Sequence, residues 1–374
     1  MQAANKEELA LLRSVANKIA REELAPEASW RDLNYSFSRE AFDKLAKAGF
    51  TGVLTPEDYH GSGGDLTSLV IVLEELAQGC ASTALSLLAH LVAAKAITEL
   101  GSAQLKTSIL PALATGEKIA AFAVHEAASG AVAGAIQTRA DLNDGHYVVN
   151  GSKFFVTNGG VADLFIILVK TDVSKGPEGT SLLLVERKTA GLTVGLQDKR
   201  MGMNGTASAE VVFEQCRVPE GNLLGEPGKG VHLVVSLATR VGMPGMSAIA
   251  LGLAQAAVDR AIRHSRERTI AGQPVSTQAA VQFLVAEMAA TVEAMRALLH
   301  YSLQEDQPLT SMTAKLFITE KALEVIDKAL QVHGGHGYSQ EIPIERFYRD
   351  ARGLKLHYMT SEILKTNIAK SLLG

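Results

Sequence analysis

The apolar residues of this chain change period twice, and that alternation most restricts its fold. From about residue 3 to 118 they recur at helical spacing: Leu9, Leu12, Val15, Ala16 and Ile19, then Phe42, Leu45, Ala46 and Phe50. Further helical blocks cover 69–77 and 82–100. From 119 to about 218 short β runs follow one another, among them HYVVNGSKFFVTNGG, LFIILVK, TSLLLVE and SAEVVFEQCRV. Their dividers (NDG, NG, NGG, SKGPEG, MNG) supply the positive-φ residues that tight turns need. After GEPGKG at 225–230 the helical period returns and lasts to the end. Strand following strand, with no helix between, predicts an antiparallel sandwich or barrel and excludes a Rossmann unit. The expected organisation is α+β: an all-α domain at 1–118, a middle β domain at 119–230 and a helical bundle at 231–374.

Composition narrows the function. With 374 residues, 47% apolar and 20% charged, the chain can bury a sizeable core. Its net charge is −4, with no basic block, so no nucleic-acid partner is expected. The apolar stretch at 231–258 is interrupted by Arg240 and Pro244, so no membrane span is expected. Cys80 and Cys216 lie in apolar stretches without CxxC spacing and read as reduced core thiols. The charged amphipathic start does not read as a signal peptide, so the expected compartment is the cytoplasm, or an organelle matrix after loss of a presequence.

Three segments could carry chemistry. VTNGG at 156–160 ends a strand, with a hydroxyl at Thr157. QVHGGHGYSQEIPIERFYRD at 331–350 holds Gly334, Gly335 and Gly337, which let backbone N–H groups approach a phosphate. His333 and His336 lack nearby Cys, Asp or Glu ligands, so no metal is expected. Arg346 and Arg349 could pair with Glu345 and Asp350 or with an anion. The run at 349–369 places Tyr358, Thr360 and Glu362 around a helix start, with Thr360 or Ser361 as cap. GSGG at 61–64 reads as a plain connector, because no Lys-Ser/Thr follows it.

Together and in this order, these segments resemble the acyl-CoA dehydrogenase family over essentially the whole chain. PEDYHGSGGDL, ELGSAQLKTSILPALATGEKIAAFAV and VVFEQCRVPEGNLLGEPGKGV resemble its segments, and 331–350 fits its Gln-x-x-Gly-Gly-x-Gly signature with the acid, base and acid that follow. The resemblance implies an N-terminal helical domain, a middle antiparallel β domain and a C-terminal four-helix bundle, assembled as a homotetramer or dimer. It implies FAD as cofactor and an acyl-CoA-type thioester as substrate, with an electron-transfer flavoprotein or another acceptor. Carried over, Val124, Gly130, Phe155, Val156 and Thr157 would lie along the flavin. Arg268, Gln278, Gln331, Gly334 and Gly335 would hold the adenosine half across a subunit interface, and Thr360 and Glu362 would contact FAD again. Ala131, Leu237, Arg240 and Met359 would border the thioester.

The chain departs from that pattern in four places. HEAASGAV at 125–132 stands where the family has Thr-Glu-x-x-x-Gly-Ser-Asp, so His125 replaces a hydroxyl and could act as an acid or base. RTIAG at 268–272 lacks the aromatic residue of the family's RxxFG segment. Tyr358 occupies the place of the glutamate that abstracts the α-proton, and Thr239 stands at the alternative glutamate position. An unperturbed phenol is only about 0.1% ionised at neutral pH, a poor base. Tyr358 activated, His125 or His357 acting instead, or a reaction without α-proton abstraction all stay open. His90 reads as structural. Ser82-Thr83 carries no arginine for a second acidic group, so a neutral acyl chain fits better. The reactions left open are α,β-dehydrogenation, elimination or decarboxylation, oxygenation, and silent binding.

Overall fold

A core helix with no polar face organises the N-terminal zone. The computed structural model describes residues 6–130, 132–305 and 307–374. Six helices come first: α1 (Lys6–Ile19), α2 (Ala25–Leu33), α3 (Arg39–Lys47), α4 (Leu66–Gly79), α5 (Ala81–Leu100) and α6 (Ala103–Ala114). Side-chain caps start several of them: Ser38 accepts from Ala41 N at 3.0 Å, Asp65 from Ser68 N at 2.8 Å and Ser102 from Leu105 N at 3.2 Å. Each cap satisfies one of the orphan N–H groups of a first turn. α5 is apolar around its whole girth and is buried accordingly.

Eight strands follow: β1 (Ala120–Ala123), β2 (Arg139–Asn143), β3 (His146–Val156), β4 (Leu164–Lys170), β5 (Thr180–Glu186), β6 (Leu192–Gln197), β7 (Ala209–Pro219) and β8 (Leu223–Leu224). Their order is β6-β7-β3-β2-β4-β5-β8, with β1 beside β4. The sheet is not wholly antiparallel as expected, because β1 and β2 run parallel to β4. The cause is topological: β3 leaves β2 to pair with β7, and β4 returns on the far side of β2. Central β4 is buried on both faces. Leu164, Ile166 and Leu168 meet the helical core, and Phe165, Ile167 and Val169 face the β core.

The C-terminal zone holds α7 (Gly230–Leu237), a π-helical turn (Ala238–Gly242), α8 (Met243–Glu267), a two-stranded hairpin of β9 (Thr269–Ile270) and β10 (Gln273–Pro274), then α9 (Ala279–Glu305), α10 (Pro308–His333), α11 (Ile344–Leu354) and α12 (Ser361–Leu373). By length and composition alone, Ala81–Leu100 and Gly230–Glu267 could cross a membrane, yet 89% and 94% of their most apolar windows are buried inside the protein. Both are core helices here.

Two sets of polar contacts tie the zones together. His90 on α5 accepts from Ala120 N through Nδ1 (3.2 Å) and donates through Nε2 toward Thr51 O (3.2 Å) and Leu113 O (3.1 Å). Asn158 donates to Ser86 O (2.9 Å) and Ala120 O (3.2 Å). At the other seam, Arg349 on α11 meets Asp32 on α2 (2.7 Å) and Met201 O (2.9 Å). Asp350 accepts from Met203 N at 2.6 Å, and Arg346 donates to Ser29 at 2.7 Å. The charged residues at the end of the 331–350 signature are therefore a seam between three zones. Arg346 and Arg349 do not form an anion site.

Burial holds His90 neutral and pulls its pKa down to about 4, against the bonds to the Leu113 and Thr51 carbonyls. An unfolded histidine titrates near 6.5, so the unfolded chain binds the extra proton between those values. The stability contributed by neutral His90 is thus complete above about pH 6.5 and drains away toward pH 4, by about 2–3 kcal/mol in all. Urea unfolding of wild type and His90→Gln across pH 4–7 checks this; the difference between the two should shrink as the pH falls.

Candidate functional site

Two chain segments converge at the ends of β1 and β3. Lys153 on β3 is fully buried, and its ammonium meets Glu126 Oε1 at 2.5 Å and Val124 O at 3.4 Å. Glu126 also accepts from Thr138 Oγ1 (2.5 Å) and from the Gln137 and Thr138 amides (2.6 and 3.1 Å). Burial pushes Lys153 down to about 8, against the pull of Glu126. Burial also works to raise Glu126, but the Lys153 charge and these hydrogen bonds outweigh it and hold the carboxyl below its usual range. Glu126, the acid retained from the family's first signature, is therefore a clamp that pins the 124–126 strand end to β3.

That clamp presents Phe155. Its backbone sits in the left-handed region (φ 53°), which is uncommon for an aromatic residue, and its ring is 58% exposed. His125, also exposed, lies against it with ring centroids 6.1 Å apart. Phe154 N donates to His125 O at 2.9 Å, which fixes the two segments side by side. Val124 and Thr157 are half-buried around this patch, and Val156 is buried beneath it. Gly130 is exposed at φ 53°, while Ala131 lies outside the described residues. An exposed ring held in strained backbone is the kind of feature that accumulates at ligand clamps.

A second convergence joins α7–α8 to the connector at 355–360. The π-turn at Ala238–Gly242 interrupts one long helix, and such turns are frequent at functional sites. Arg240 there forms a two-pronged ion pair with Glu99 on α5 and donates to Ser236 at 3.2 Å. Thr239 bonds back to Val235 O and Ser236 O. Leu237, expected beside the thioester, is buried in the helical core, at 1% exposure. Its helix face points inward because the apolar stripe of α7 packs toward β4 and β5.

Across from the π-turn, Tyr358 has φ 60° and its ring lies flat on Gly242. A Cβ on Gly242 would come within 2.3 Å of that ring, so only glycine admits it there. Burial raises the Tyr358 phenol well above its ordinary value. Beside it, His357 Nδ1 donates to Gly353 O at 2.8 Å, leaving Nε2 as an acceptor, and burial pulls the ring down to about 4. Met359 is half-buried, and its carbonyl accepts from Lys315 at 2.7 Å. Thr360 caps α12 through Ile363 N (3.4 Å). Exposed Glu362 in that first turn is held low by its own backbone N–H and the Thr360 hydroxyl.

The third set lies at the α8 and α10 ends. Arg268 and Gln278 flank the β9–β10 hairpin and are exposed, as is Gln331. Gly334 (φ 58°) and Gly335 have no atom within 4 Å of a would-be Cβ, so the backbone there is open to a close-fitting group. Arg260, Arg263, His264, His333 and His336 line the adjoining cleft, where the His264 and His333 rings lie 4.5 Å apart. Guanidinium groups beside an uncrowded glycine backbone suit phosphate oxygens; the Gly334 N–H itself is bonded to Gln331 O, and Glu267 shares the cleft. Among the described residues, no cluster of His, Cys, Asp and Glu is placed to hold a metal ion.

Sequence reasoning passed over Lys153, Lys315 and Gly242. Lys315 had a signal: it breaks the apolar stripe of α10 at a position whose neighbours on that face are buried, whereas Lys153 sits between half-buried Gly151 and exposed Phe155. Gly242 had none.

An all-α zone, a β zone and a helical bundle, with a patch suited to a flat aromatic group and a separate phosphate-suited helix end, define a flavoenzyme subunit. The chain belongs to the acyl-CoA dehydrogenase family, whose N-terminal, middle and C-terminal domains match residues 6–117, 121–216 and 228–373. It is 39% identical over 376 residues to a cyclohex-1-ene-1-carbonyl-CoA dehydrogenase of Syntrophus aciditrophicus (98% of this chain, 90% of the relative). It is 37% identical over 370 residues to an acryloyl-CoA reductase (NADH) of Anaerotignum propionicum (97% and 94%). The butyryl-CoA dehydrogenase of Megasphaera elsdenii superposes with a TM-score of 0.96 at 33% identity, covering both chains fully. Solved members of the fold include FAD complexes, and FAD is the cofactor of the family. The chain is an oxidoreductase of the CH–CH class.

Gly242→Ala should destabilise the protein by about 1–3 kcal/mol through overpacking against Tyr358. Adding Tyr358→Ala should recover much of that loss, and a double-mutant cycle in urea measures the coupling.

Proposed function

We propose that this enzyme acts at the Cα–Cβ bond of a neutral acyl thioester, with α,β-dehydrogenation as the simplest reaction and a group other than glutamate handling the α-proton. We also take it to work as a homo-oligomer and to pass electrons to an electron-transfer flavoprotein or another acceptor. FAD, when bound, supplies a two-electron acceptor for hydride. Phe155 and His125 fit beside its ring system, and Arg268, Gln278, Gln331, Gly334, Gly335, Thr360 and Glu362 fit its phosphates and adenosine half.

The observation that carries the reading is the seat of Tyr358. It lies against the π-turn that holds Thr239 and Arg240, the segment that resembles the thioester wall. Its phenol is raised by burial, and among the described residues no group hydrogen-bonds its oxygen. It therefore stays protonated at neutral pH, where even an ordinary phenol is about 0.1% ionised. Tyr358 holds a proton where dehydrogenation needs one removed. His357 is the nearer answer for that direction: with a pKa of about 4, its open Nε2 has the basicity of a carboxylate.

The same observation favours a second reading, in which the enzyme runs toward reduction. A neutral phenol is suited to deliver a proton to Cα while the β-carbon receives hydride. That the relative from Anaerotignum propionicum is an acryloyl-CoA reductase (NADH) supports this direction.

An anaerobic visible spectrum of the FAD-loaded protein, titrated with saturated and unsaturated acyl-CoAs, tests both. Bleaching by a saturated thioester supports dehydrogenation; reoxidation of the reduced protein by an enoyl thioester supports reduction. No response to any thioester would sink both in favour of elimination or oxygenation, and protein that takes up no FAD would favour silent binding. Tyr358→Glu should raise dehydrogenation by about 10²-fold or more by installing a positioned base.

A further inference from the structure

The buried stripe of α10 runs Ser311, Lys315, Ile318, Ala322, Val325 and Ala329, and the lysine in it is 0% exposed. Lys315 Nζ donates to Met359 O at 2.7 Å and to Lys355 O at 3.3 Å. These two carbonyls bracket the non-helical stretch that carries Leu356, His357 and Tyr358. Among the described residues no carboxylate bonds this ammonium. Glu320 on the same helix is taken by the Lys355 ammonium and by the Ser361 hydroxyl (2.6 Å), and Glu362 on α12 acts only as a nearby charge.

A buried ammonium without a bonded counter-ion is costly, and an apolar side chain would fill the stripe without that cost. Capping the last carbonyls of α11 explains the bond to Lys355. It does not explain the shorter bond to Met359, on the far side of Tyr358. The left-handed backbone of Tyr358 costs about 1–2 kcal/mol and persists only where its surroundings enforce it. The Met359 N–H donates to His357 O across Tyr358 (2.8 Å), and the Lys315–Met359 and His357–Gly353 bonds anchor that turn on either side.

We propose that Lys315 is the positioning residue for Tyr358: its ammonium closes the 355–360 connector into a loop and so holds the phenol on Gly242. This role rests on the reading of Tyr358 as part of the reaction site. Burial, helped by the Lys355 charge and opposed by Glu320 and Glu362, brings Lys315 down to about 7. His357 also faces it and is neutral at that pH. Below pH 7 the clamp is charge-assisted with three donors; above it an amine with two weaker donors remains. Global stability moves the opposite way, because the unfolded chain keeps the lysine proton up to about pH 10.5 and folding gains as pH rises from 7. Because opening the connector also hydrates this ammonium, the clamp is best tested at one pH.

Hydrogen exchange of peptides spanning 355–360, read by mass spectrometry on the holoenzyme and corrected for intrinsic rates, tests the clamp. Wild-type protection of 355–360 at pH 6, where the lysine is charged, is the reference, with peptides of α5 as the internal control for global unfolding. Lys315→Met should lose about 10-fold protection there relative to α5; Lys315→Gln, with two neutral donors, should be intermediate. Turnover of the responding thioester should drop in kcat more than it changes in KM for Lys315→Met. Unchanged protection of 355–360 in Lys315→Met, or in the more conservative Lys315→Gln, overturns the proposal. If no thioester responds, the exchange measurement still decides on the clamp, so its failure and that of the functional reading remain distinct.

Discussion

The structure depends on how three zones with different backbone periods are held at their seams. The Arg349 guanidinium is the central tie, because one side chain reaches the Asp32 carboxylate of the first zone and the Met201 carbonyl of the second from a helix of the third. Asp350, next in sequence, takes the Met203 amide. Arg349 is also forked onto Glu345 four residues back, but its inter-zone partners and that of Asp350 are more than a hundred residues away, so those contacts form only when the zones are docked. Phe155 projects from the β zone and Tyr358 from the helical zone, so this docking sets the frame in which any ligand meets both.

Two buried lysines show contrasting solutions to one electrostatic problem. Lys153 is given a carboxylate, and Glu126 is in turn saturated by three further donors, so the pair is closed and rigid. Lys315 is given only carbonyl dipoles, which hold it without neutralising it. The first pins the strand end behind Phe155. The second leaves the connector at Tyr358 sensitive to its surroundings.

The alternation of helix, strand and helix was legible because each zone repeats its period over many residues. The turn-rich dividers marked the strands well. They could not reveal that β1 runs parallel beside β4, since that pairing depends on where α5 places Ala120. The end of the 331–350 signature was legible as a motif but not as a seam, because Asp32 carries no pattern that points to Arg349. Thr360 as a helix cap was readable from local chemistry alone. The mutual fit of Gly242 and Tyr358 joins residues that share no local pattern, and it emerged only from packing.

The π-turn at Ala238–Gly242 has a consequence for how this site can change. An α-helix advances about 100° per residue, so the one extra residue accommodated in a π-turn sets α7 and α8 out of phase by about that angle. α8 is locked by its burial against α4 and α10, and α7 keeps its own phase through the stripe it packs on β4 and β5. Loss of a single residue there would straighten the helix and swing Arg240 away from Glu99 by roughly a quarter-turn. The wall at this point can therefore be re-aimed by a length change of one residue, without replacing any side chain that lines it.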